Sequence, residues 1–369
     1  MRQFTLAAMA VTAAAFGLGT DARPVQASTP LKLSGPFAHD NLTVYFIHAE
    51  SAPGAVPLTL AEALTKGRVK VVETGSVNNL EIENTGDTDV FIQAGDIVKG
   101  GQQDRVLMMS MILPGKSGKV SIGSFCVEQG RWSKRGQEDV KNFASAAEAL
   151  PSRKAKLAMN EPAKVAAAPP PQTAGQPNRQ ALGGRGGDDT GKRQTEVWSA
   201  VSDVQAKLSA RVGAPVAAAQ SASSLQLSLE NERVRASRTA YVTSLTDKAA
   251  ADDIVGYVFA VNGQINSADQ YPSNGLFKKM WPKQLAAAAT EALGEVRRTV
   301  SATADTTTPA PTVAMPDVSA FLSAAESGAA EERTLGTLTR QQRRDTEKSL
   351  YVEARKADGT WVHRNYLAK

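Results

Sequence analysis

The first part of the chain alternates short apolar runs with turn-forming residues. Runs at such spacing, separated by glycine, asparagine, aspartate or proline, are typical of an antiparallel sheet or sandwich. The predicted strands cover residues 43–48, 69–72, 80–82, 90–92, 106–112 and 120–125. Two helices accompany them. Thr59 and Glu62 have capping-box spacing for a short helix that ends at Gly67, and residues 138–150 carry apolar side chains at helical spacing.

The second part of the chain mixes helical and strand patterns. Apolar residues recur at helical spacing in residues 194–208, 233–247, 276–296 and 317–327, with Asp317 as the predicted N-cap of the last helix. The strand at 254–261 leads into Asn262-Gly263, a strong two-residue hairpin signal. A second hairpin joins residues 350–354 to 361–366. The sequence therefore predicts an α+β fold. An antiparallel β-rich N-terminal half (28–150) is followed by a C-terminal half of helices plus β-hairpins (194–300 and 317–369), and together they form one interrupted domain.

Two interruptions, residues 151–193 and 301–316, separate these parts. The first contains three successive prolines and a glycine-rich stretch, a composition that cannot bury enough apolar area to offset its ordering entropy, so we predict a disordered loop. It holds eight basic and three acidic side chains, whereas the whole chain has a formal net charge of +5. The folded remainder is therefore close to neutral. We predict no nucleic-acid-binding face, although the basic loop can make loose contacts with anionic surfaces.

Residues 1–27 have the three parts of a secretory signal peptide. Arg2 supplies the positive start, residues 4–18 form an uncharged apolar run, and Val25-Gln26-Ala27 fits the small-residue rule before a cleavage site. The run is shorter than the ~20 residues that a bilayer-spanning helix needs. We therefore expect an exported protein, periplasmic or extracellular, that is cleaved after Ala27 and has no transmembrane segment. Cys126 is the only cysteine, which excludes an internal disulfide.

Polar side chains concentrate in two glycine-bearing turns, residues 95–105 and 125–132. Arginine guanidinium groups match the geometry of carboxylates and phosphates. We therefore interpret the two turns as a pocket for an anionic small molecule or a partner group, within a binding or scaffold domain. In the alternative interpretation, the arginines form salt bridges with nearby carboxylates and tie the two turns together. The candidate ligand-binding residues are Asp96, Gln102, Gln103, Arg105, Arg131 and Trp132.

A different function, periplasmic hydrolysis of a phosphoester or glycosidic bond, would use Asp104 and Glu128 as paired catalytic carboxylates. Carboxylates that converge around an open cleft would favour hydrolysis, and carboxylates engaged by arginines would favour a scaffold. Pairing of strands 106–112 and 120–125 would bring their outer ends together, so we expect Arg105 to lie beside Glu128. The three histidines have no metal-binding spacing, and no cofactor motif is present, so no metal or cofactor is predicted.

The two turns resemble the ADP-ribosylglycohydrolase- and rhodanese-phosphatase-associated protein domain family. Their most specific parts are Gly-Asp…Gln-x-Asp-Arg, ending at Arg105, and Cys-x-Glu-x-Gly-Arg-Trp, ending at Trp132. The helix start at Gln194, the helix that carries Trp281 and the last strand with His363 add weaker similarity. The resemblance covers most of the mature chain and implies association with ADP-ribose or phosphoester chemistry, without an established activity. Export and long loops at 151–193 and 301–312 depart from the pattern and weaken the transfer of a nucleotide ligand.

Overall fold

The computed structural model describes residues 31–161, 187–295 and 311–369. The predicted signal peptide, residues 162–186 of the predicted basic loop and residues 301–310 of the second loop lie outside the described residues. Within the described ranges the chain combines large antiparallel sheets with seven α-helices, so the predicted α+β class is confirmed. Strands dominate the N-terminal half, and most helices follow in the later part of the chain.

The largest sheet has eight antiparallel strands and contains both ends of the described chain. Its spatial order is β1 (Lys32–His39), β2 (Leu42–His48), β12 (Ile254–Val261), β13 (Gln264–Gln270), β17 (Trp361–Ala368), β16 (Ser349–Lys356), β15 (Thr339–Asp345) and β14 (Ala330–Leu335). The predicted hairpin at Asn262-Gly263 joins β12 to β13. Strand β12 is buried along its whole length, because helices cover both faces of the sheet at this point.

A six-stranded sheet and a three-stranded sheet complete the β-structure. The order of the first is β11 (Phe143–Ala149), β7 (Asp96–Gly100), β8 (Arg105–Leu107), β10 (Gly118–Cys126), β5 (Asn79–Asn84) and β4 (Val69–Ser76). Its edge strands approach each other, since the Glu73 N–H donates to the Lys141 carbonyl at 2.8 Å, and the sheet curls towards a barrel. The second consists of β3 (Leu58–Thr59), β6 (Val90–Ile92) and β9 (Met111–Leu113).

The helices pack on the faces of these sheets. They are α1 (Leu60–Thr65), α2 (Arg153–Met159), α3 (Gly187–Val212), α4 (Leu225–Leu229), α5 (Glu232–Thr246), α6 (Asn274–Gly294) and α7 (Met315–Ser327). The predicted capping box of α1 is present. Trp281 of α6 packs against Phe46 and Phe259 on one face of the large sheet, whereas Leu322 of α7 packs on the opposite face with Tyr45. Among the described residues, no helix has both the length and the hydropathy to cross a membrane.

Two predictions about the N-terminal half are wrong. The helix predicted at 138–150 is not present: residues 143–149 form strand β11, because the edge of β7 offers hydrogen-bonding partners and Phe143 pairs with Gly100. The run 106–112 is two strands rather than one, since β8 pairs with β10 while β9 pairs with β6 in another sheet. Of the predicted pairing, only that between residues 105–107 and residues 124–126 is therefore present. This part places Arg105 opposite Cys126.

The ends of the predicted disordered loop are also ordered. Residues 153–159 form α2, which Ser152 caps through its side chain, and α3 begins at Gly187. Strand β1 and the β14–β15 hairpin were not predicted, because their residues show little apolar alternation. Helix α7 has Ala314 at its N-cap, and Asp317 lies in the first turn instead, where a carboxylate favours the helix dipole.

Candidate functional site

The two glycine-bearing turns meet, as the hairpin argument predicts. Asp104 directly precedes β8, Glu128 lies two residues beyond β10, and β8 pairs with the end of β10. The backbone N–H of Asp104 donates to Glu128 Oε2 at 2.9 Å. Both carboxylates are completely buried. With Arg131 and Arg135 they form the arginine–carboxylate cluster.

Two arginines engage these carboxylates through paired hydrogen bonds. Arg131 donates from Nε and Nη2 to the two oxygens of Glu128, each at 2.6 Å. Arg135 donates from Nη1 and Nη2 to the two oxygens of Asp104, each at 2.9 Å, and Nη1 also reaches Glu128 at 3.0 Å. Bidentate contacts of this kind are among the strongest and most directional polar interactions in proteins.

The remaining acceptor capacity of the cluster is also used. The Gly100 N–H and the Ser224 hydroxyl donate to Asp104 at 3.0 and 2.7 Å. Burial alone would raise the pKa of Glu128, but the hydrogen bonds from Arg131 and from the Asp104 N–H, with the charge of Arg135, outweigh it and lower that pKa. Glu128 is therefore held as a buried anion, and neither carboxylate is open to solvent.

The cluster also connects the two turns through backbone groups. Arg131 donates to the carbonyl oxygens of Gly100 and Gly101, each at 3.1 Å. Gly101 has φ of +55°, and a Cβ there would lie 2.3 Å from the ring of Phe143, so only glycine fits this turn. The arrangement agrees with the alternative in which salt bridges tie the turns together.

Arg105 lies next to the cluster but has a different partner from the one expected. It is fully buried, its Nη1 donates to the Gln103 carbonyl at 2.7 Å, and its Nη2 lies 3.3 Å from Glu73. The expected contact with Glu128 is therefore replaced by an ion pair with Glu73 of β4. Glu73 also accepts the backbone N–H of Gln102 at 3.2 Å.

Two other candidate residues, Gln103 and Trp132, lie beside Glu128 and Arg105. The Gln103 amide donates to the Glu128 carbonyl at 2.7 Å and accepts from the Cys126 thiol at 2.9 Å. Burial raises the pKa of that thiol to about 11, which suits a structural cysteine. Trp132 is 47 % exposed, and the Arg105 guanidinium lies 5.8 Å from the centre of its ring.

Asp96 belongs to a separate contact. Its Oδ1 accepts from Lys283 of α6 at 2.6 Å, and its Oδ2 accepts the Gln93 N–H at 2.9 Å. It is buried and joins the six-stranded sheet to α6. The structure therefore brings most of the candidate residues together, but it places Asp96 elsewhere.

Sequence reasoning missed Arg135, Glu73 and Ser224. Arg135 follows Arg131 by four residues and could have been selected for that reason. Glu73 and Ser224 are remote in sequence, and no local pattern identifies them. Among the described residues, no group of three histidine, cysteine, aspartate or glutamate side chains could hold a metal ion.

A second buried polar network also escaped sequence reasoning. His363 Nδ1 lies 2.9 Å from Ser110 Oγ, and His363 Nε2 lies 3.0 Å from Asp269 Oδ1 without the alignment of a hydrogen bond. Tyr257 donates its hydroxyl to Asp269. The residue types are those of a hydrolase triad, but Ser110 is buried and its hydroxyl accepts the Ala94 N–H at 2.9 Å. These contacts connect strands in the interior of the fold.

A large groove lies between α2, α3 and α6, and we call it the helix groove. Its volume is about 670 Å³, which is within the range of small-molecule sites. Its charged lining residues are Arg153, Lys154, Lys207, Glu161, Glu196, Asp203, Glu291 and Glu295. Lys154 pairs with Asp203 at 2.5 Å, and Lys207 pairs with Glu295. Burial raises the pKa of Glu291, although the Arg153 N–H donates to it at 3.0 Å.

The chain belongs to the ARPP-1 family, described as the ARG and Rhodanese-Phosphatase-superfamily-associated Protein domain. The sequence model of that family matches residues 30–367. The predicted family resemblance is thereby confirmed in its broad form. No curated protein and no solved structure matches the chain.

Proposed function

We propose that the chain is an exported ligand-binding domain in which the arginine–carboxylate cluster is a framework and the ligand occupies the helix groove. One observation carries the proposal. Every oxygen of Asp104 and Glu128 accepts hydrogen bonds from arginine, backbone or serine donors in the interior. Such a cluster stabilises two turns against each other, whereas a ligand needs an open surface, which the groove provides.

The lining of the groove supports a particular kind of ligand. It carries three basic and five acidic side chains, and both of its lysines are paired with carboxylates. An anionic ligand, as expected from the sequence, would therefore meet excess negative charge. A ligand with amino groups or other hydrogen-bond donors suits the groove better, and Leu157 and Val204 provide apolar contact beside the charges.

The hydrolase alternative receives no support from the geometry of its predicted pair. Asp104 and Glu128 have no exposed surface, and a general acid or base must lie within hydrogen-bonding reach of its substrate. A lowered pKa of Glu128 also disfavours the protonated form that a general acid requires. The binding interpretation is therefore the stronger one.

A ligand screen by thermal shift on the mature protein tests the proposal. The panel contains polyamines, lysine-rich peptides, sugar phosphates, nucleotides and divalent metals. A groove ligand at 100 times its dissociation constant should stabilise the fold by about 2.7 kcal/mol. Amine-bearing compounds should give this shift.

A pair of tryptophan variants on α3 then assigns the site. Ser199 and Ser202 are both exposed, but only Ser199 lines the groove. Ser199→Trp should abolish the shift by filling the groove, and Ser202→Trp should preserve it. If the shift survives Ser199→Trp, or if no compound in the panel stabilises the protein, the groove is not the ligand site.

Export is a separate part of the proposal and has its own test. It rests on the apolar run 4–18 and the cleavage pattern at Ala27. Protein recovered from the exported fraction should have an intact mass that begins at Ser28. Recovery of a chain that retains Met1 would exclude cleavage at this position.

A further inference from the structure

A smaller cavity lies at the C-terminal end of α2, where Met159 and Asn160 line it, and we call it the arginine cavity. Its volume is about 80 Å³. Arg193 of α3, Arg333 of β14 and Arg343 of β15 line it, together with Met108, Met159 and Leu335, which give it an apolar wall. Three guanidinium groups from two distant parts of the chain therefore surround a space that is large enough for a phosphate- or carboxylate-sized group.

Arg343 is the most deeply placed of the three arginines. Only 4 % of it is exposed. Its Nη2 pairs with Asp345 at 2.5 Å, and its Nη1 lies 3.6 Å from Glu331. Its Nε–H is buried and has no acceptor among the described residues. One edge of the guanidinium is thus neutralised, and the other edge carries an unsatisfied donor.

Arg193 of α3 presents a similar unsatisfied donor to the same cavity. Its Nε–H is also buried without an acceptor, and its guanidinium lies 5.6 Å from the centre of the Phe125 ring. Among the residues whose side chains the structure describes, Arg193 forms no ion pair, and its Nη2 donates only a long hydrogen bond to the Thr190 hydroxyl at 3.5 Å. The third arginine, Arg333, is 39 % exposed and pairs with Glu331 at 3.3 Å, so it stands at the mouth of the cavity.

Two unsatisfied guanidinium donors on one small cavity need an explanation. Buried polar groups in folded proteins nearly always have a hydrogen-bonding partner, because an unpaired donor loses its hydration without compensation. Glu161 is the only carboxylate in the described lining, and it does not accept from either Nε. An acceptor in the cavity would satisfy both donors.

We propose that the arginine cavity binds a small oxyanion group, the phosphate or carboxylate of a ligand. The Nε–H groups of Arg193 and Arg343 would donate to its oxygens, and Arg333 would contact the part nearest the mouth. A short apolar portion would pack on Met108, Met159 and Leu335. Glu161 lines both this cavity and the helix groove, but the three arginines line only the cavity, and this proposal does not depend on the proposal for the groove.

Anion titration tests the proposal. Inorganic phosphate, sulfate, acetate and succinate are each titrated into the mature protein and followed by thermal shift, with ionic strength held constant by sodium chloride. A phosphate site predicts stabilisation by phosphate and sulfate. A carboxylate site predicts stabilisation by acetate and succinate. If every anion behaves like chloride, the proposal is overturned.

Charge-removing variants distinguish a defined site from general surface charge. Arg193→Gln should weaken anion binding by on the order of tenfold or more, because one charge-assisted hydrogen bond is lost. Arg340 lies on the β14–β15 hairpin, which also carries Arg333 and Arg343. It is exposed and forms no ion pair among the described residues, so Arg340→Gln is the matched control and should leave affinity for the anion within about twofold. Equal losses in both variants would show a non-specific charge effect and refute the site.

The groove variant separates this proposal from the proposed function. Ser199→Trp fills the helix groove and should leave anion binding intact. Loss of anion binding in this variant would mean that the anion sits in the groove, and it would overturn the assignment to the arginine cavity. Arg343→Gln is a second test of the same contact and should match the loss in Arg193→Gln, provided that its unfolding transition stays cooperative.

Discussion

Replacement of Arg135 by methionine is the sharpest test of the arginine–carboxylate cluster. The Arg135 side chain is 4 % exposed. It donates to both oxygens of Asp104 at 2.9 Å and to Glu128 at 3.0 Å, and it pairs with Glu138 at 2.9 Å. Methionine fills much of the same volume but cannot donate. The substitution therefore leaves a buried carboxylate without its main counter-charge.

The expected loss follows from this geometry. Removal of one partner of a buried ion pair costs about 3–5 kcal/mol of unfolding free energy. Asp104 keeps its hydrogen bonds from Gly100 and Ser224, which favours the lower part of that range. With an unfolding entropy of about 2.1 cal/mol/K per residue over the roughly 300 described residues, the melting temperature should fall by about 5–8 °C.

Chemical denaturation and thermal melting of the protein measure this loss. Lys134 is the neighbouring exposed cation, so Lys134→Met is the matched control and should change stability by no more than about 0.5 kcal/mol. Asp104→Asn in the Arg135→Met background should recover part of the loss, because the stranded charge is removed. A loss below about 1 kcal/mol in Arg135→Met would mean that the cluster does not stabilise the turns.

Other contacts lead to three further tests. A double-mutant cycle of Arg105→Ala and Glu73→Ala should give a coupling free energy of about 0.5–3 kcal/mol, because the two form a buried ion pair at 3.3 Å; independent effects in denaturant titrations would contradict the pairing. Burial raises the folded-state pKa of Glu291, so its carboxyl favours folding below its unfolded pKa of about 4.3, and this contribution is lost as pH rises through the folded-state pKa. Glu291→Gln should therefore raise the melting temperature at neutral pH but not under acidic conditions. An identical gain at all pH values would show that the raised pKa of Glu291 is not the cause. Gly101→Ala should cost about 1–3 kcal/mol more than Gly136→Ala, because both glycines have φ of +55° but only at Gly101 would a Cβ meet an aromatic ring, at 2.3 Å; equal losses by thermal melting would exclude the steric explanation.

Local sequence patterns were sufficient for much of the fold. The helix boundaries of α1 and α5 and the bounds of β12 agree with the predictions to within one or two residues. The capping box, the Asn262-Gly263 turn and the continuous apolar run are interactions between near neighbours in the chain. Such signals act in the same way in many tertiary settings, and the α+β class follows from them.

The failures occur where a strand depends on its partner rather than on its own pattern. Residues 143–149 are rich in alanine and fit a helix, but pairing with β7 makes them a strand. The β14–β15 hairpin has charged residues on both faces, so it lacks the alternation that identifies a half-buried strand. It is a strand pair because β16 extends the sheet to it.

The candidate site likewise has features that the sequence predicted and features that only tertiary packing decided. The sequence predicted that the two glycine-bearing turns meet, by pairing the strand after the first turn with the strand before the second. The pairing of β8 with β10 has this effect, although the segment between them contains β9 of another sheet. The sequence did not determine which charges pair. Arg135 rather than Arg105 holds the central carboxylates, and Arg105 pairs with Glu73 instead. The arginine cavity, with Arg193 and Arg343 150 residues apart in sequence, also exists only in the folded chain. Ion pairs and cavities depend on distances of a few ångströms between side chains remote in sequence, and only tertiary packing sets those distances.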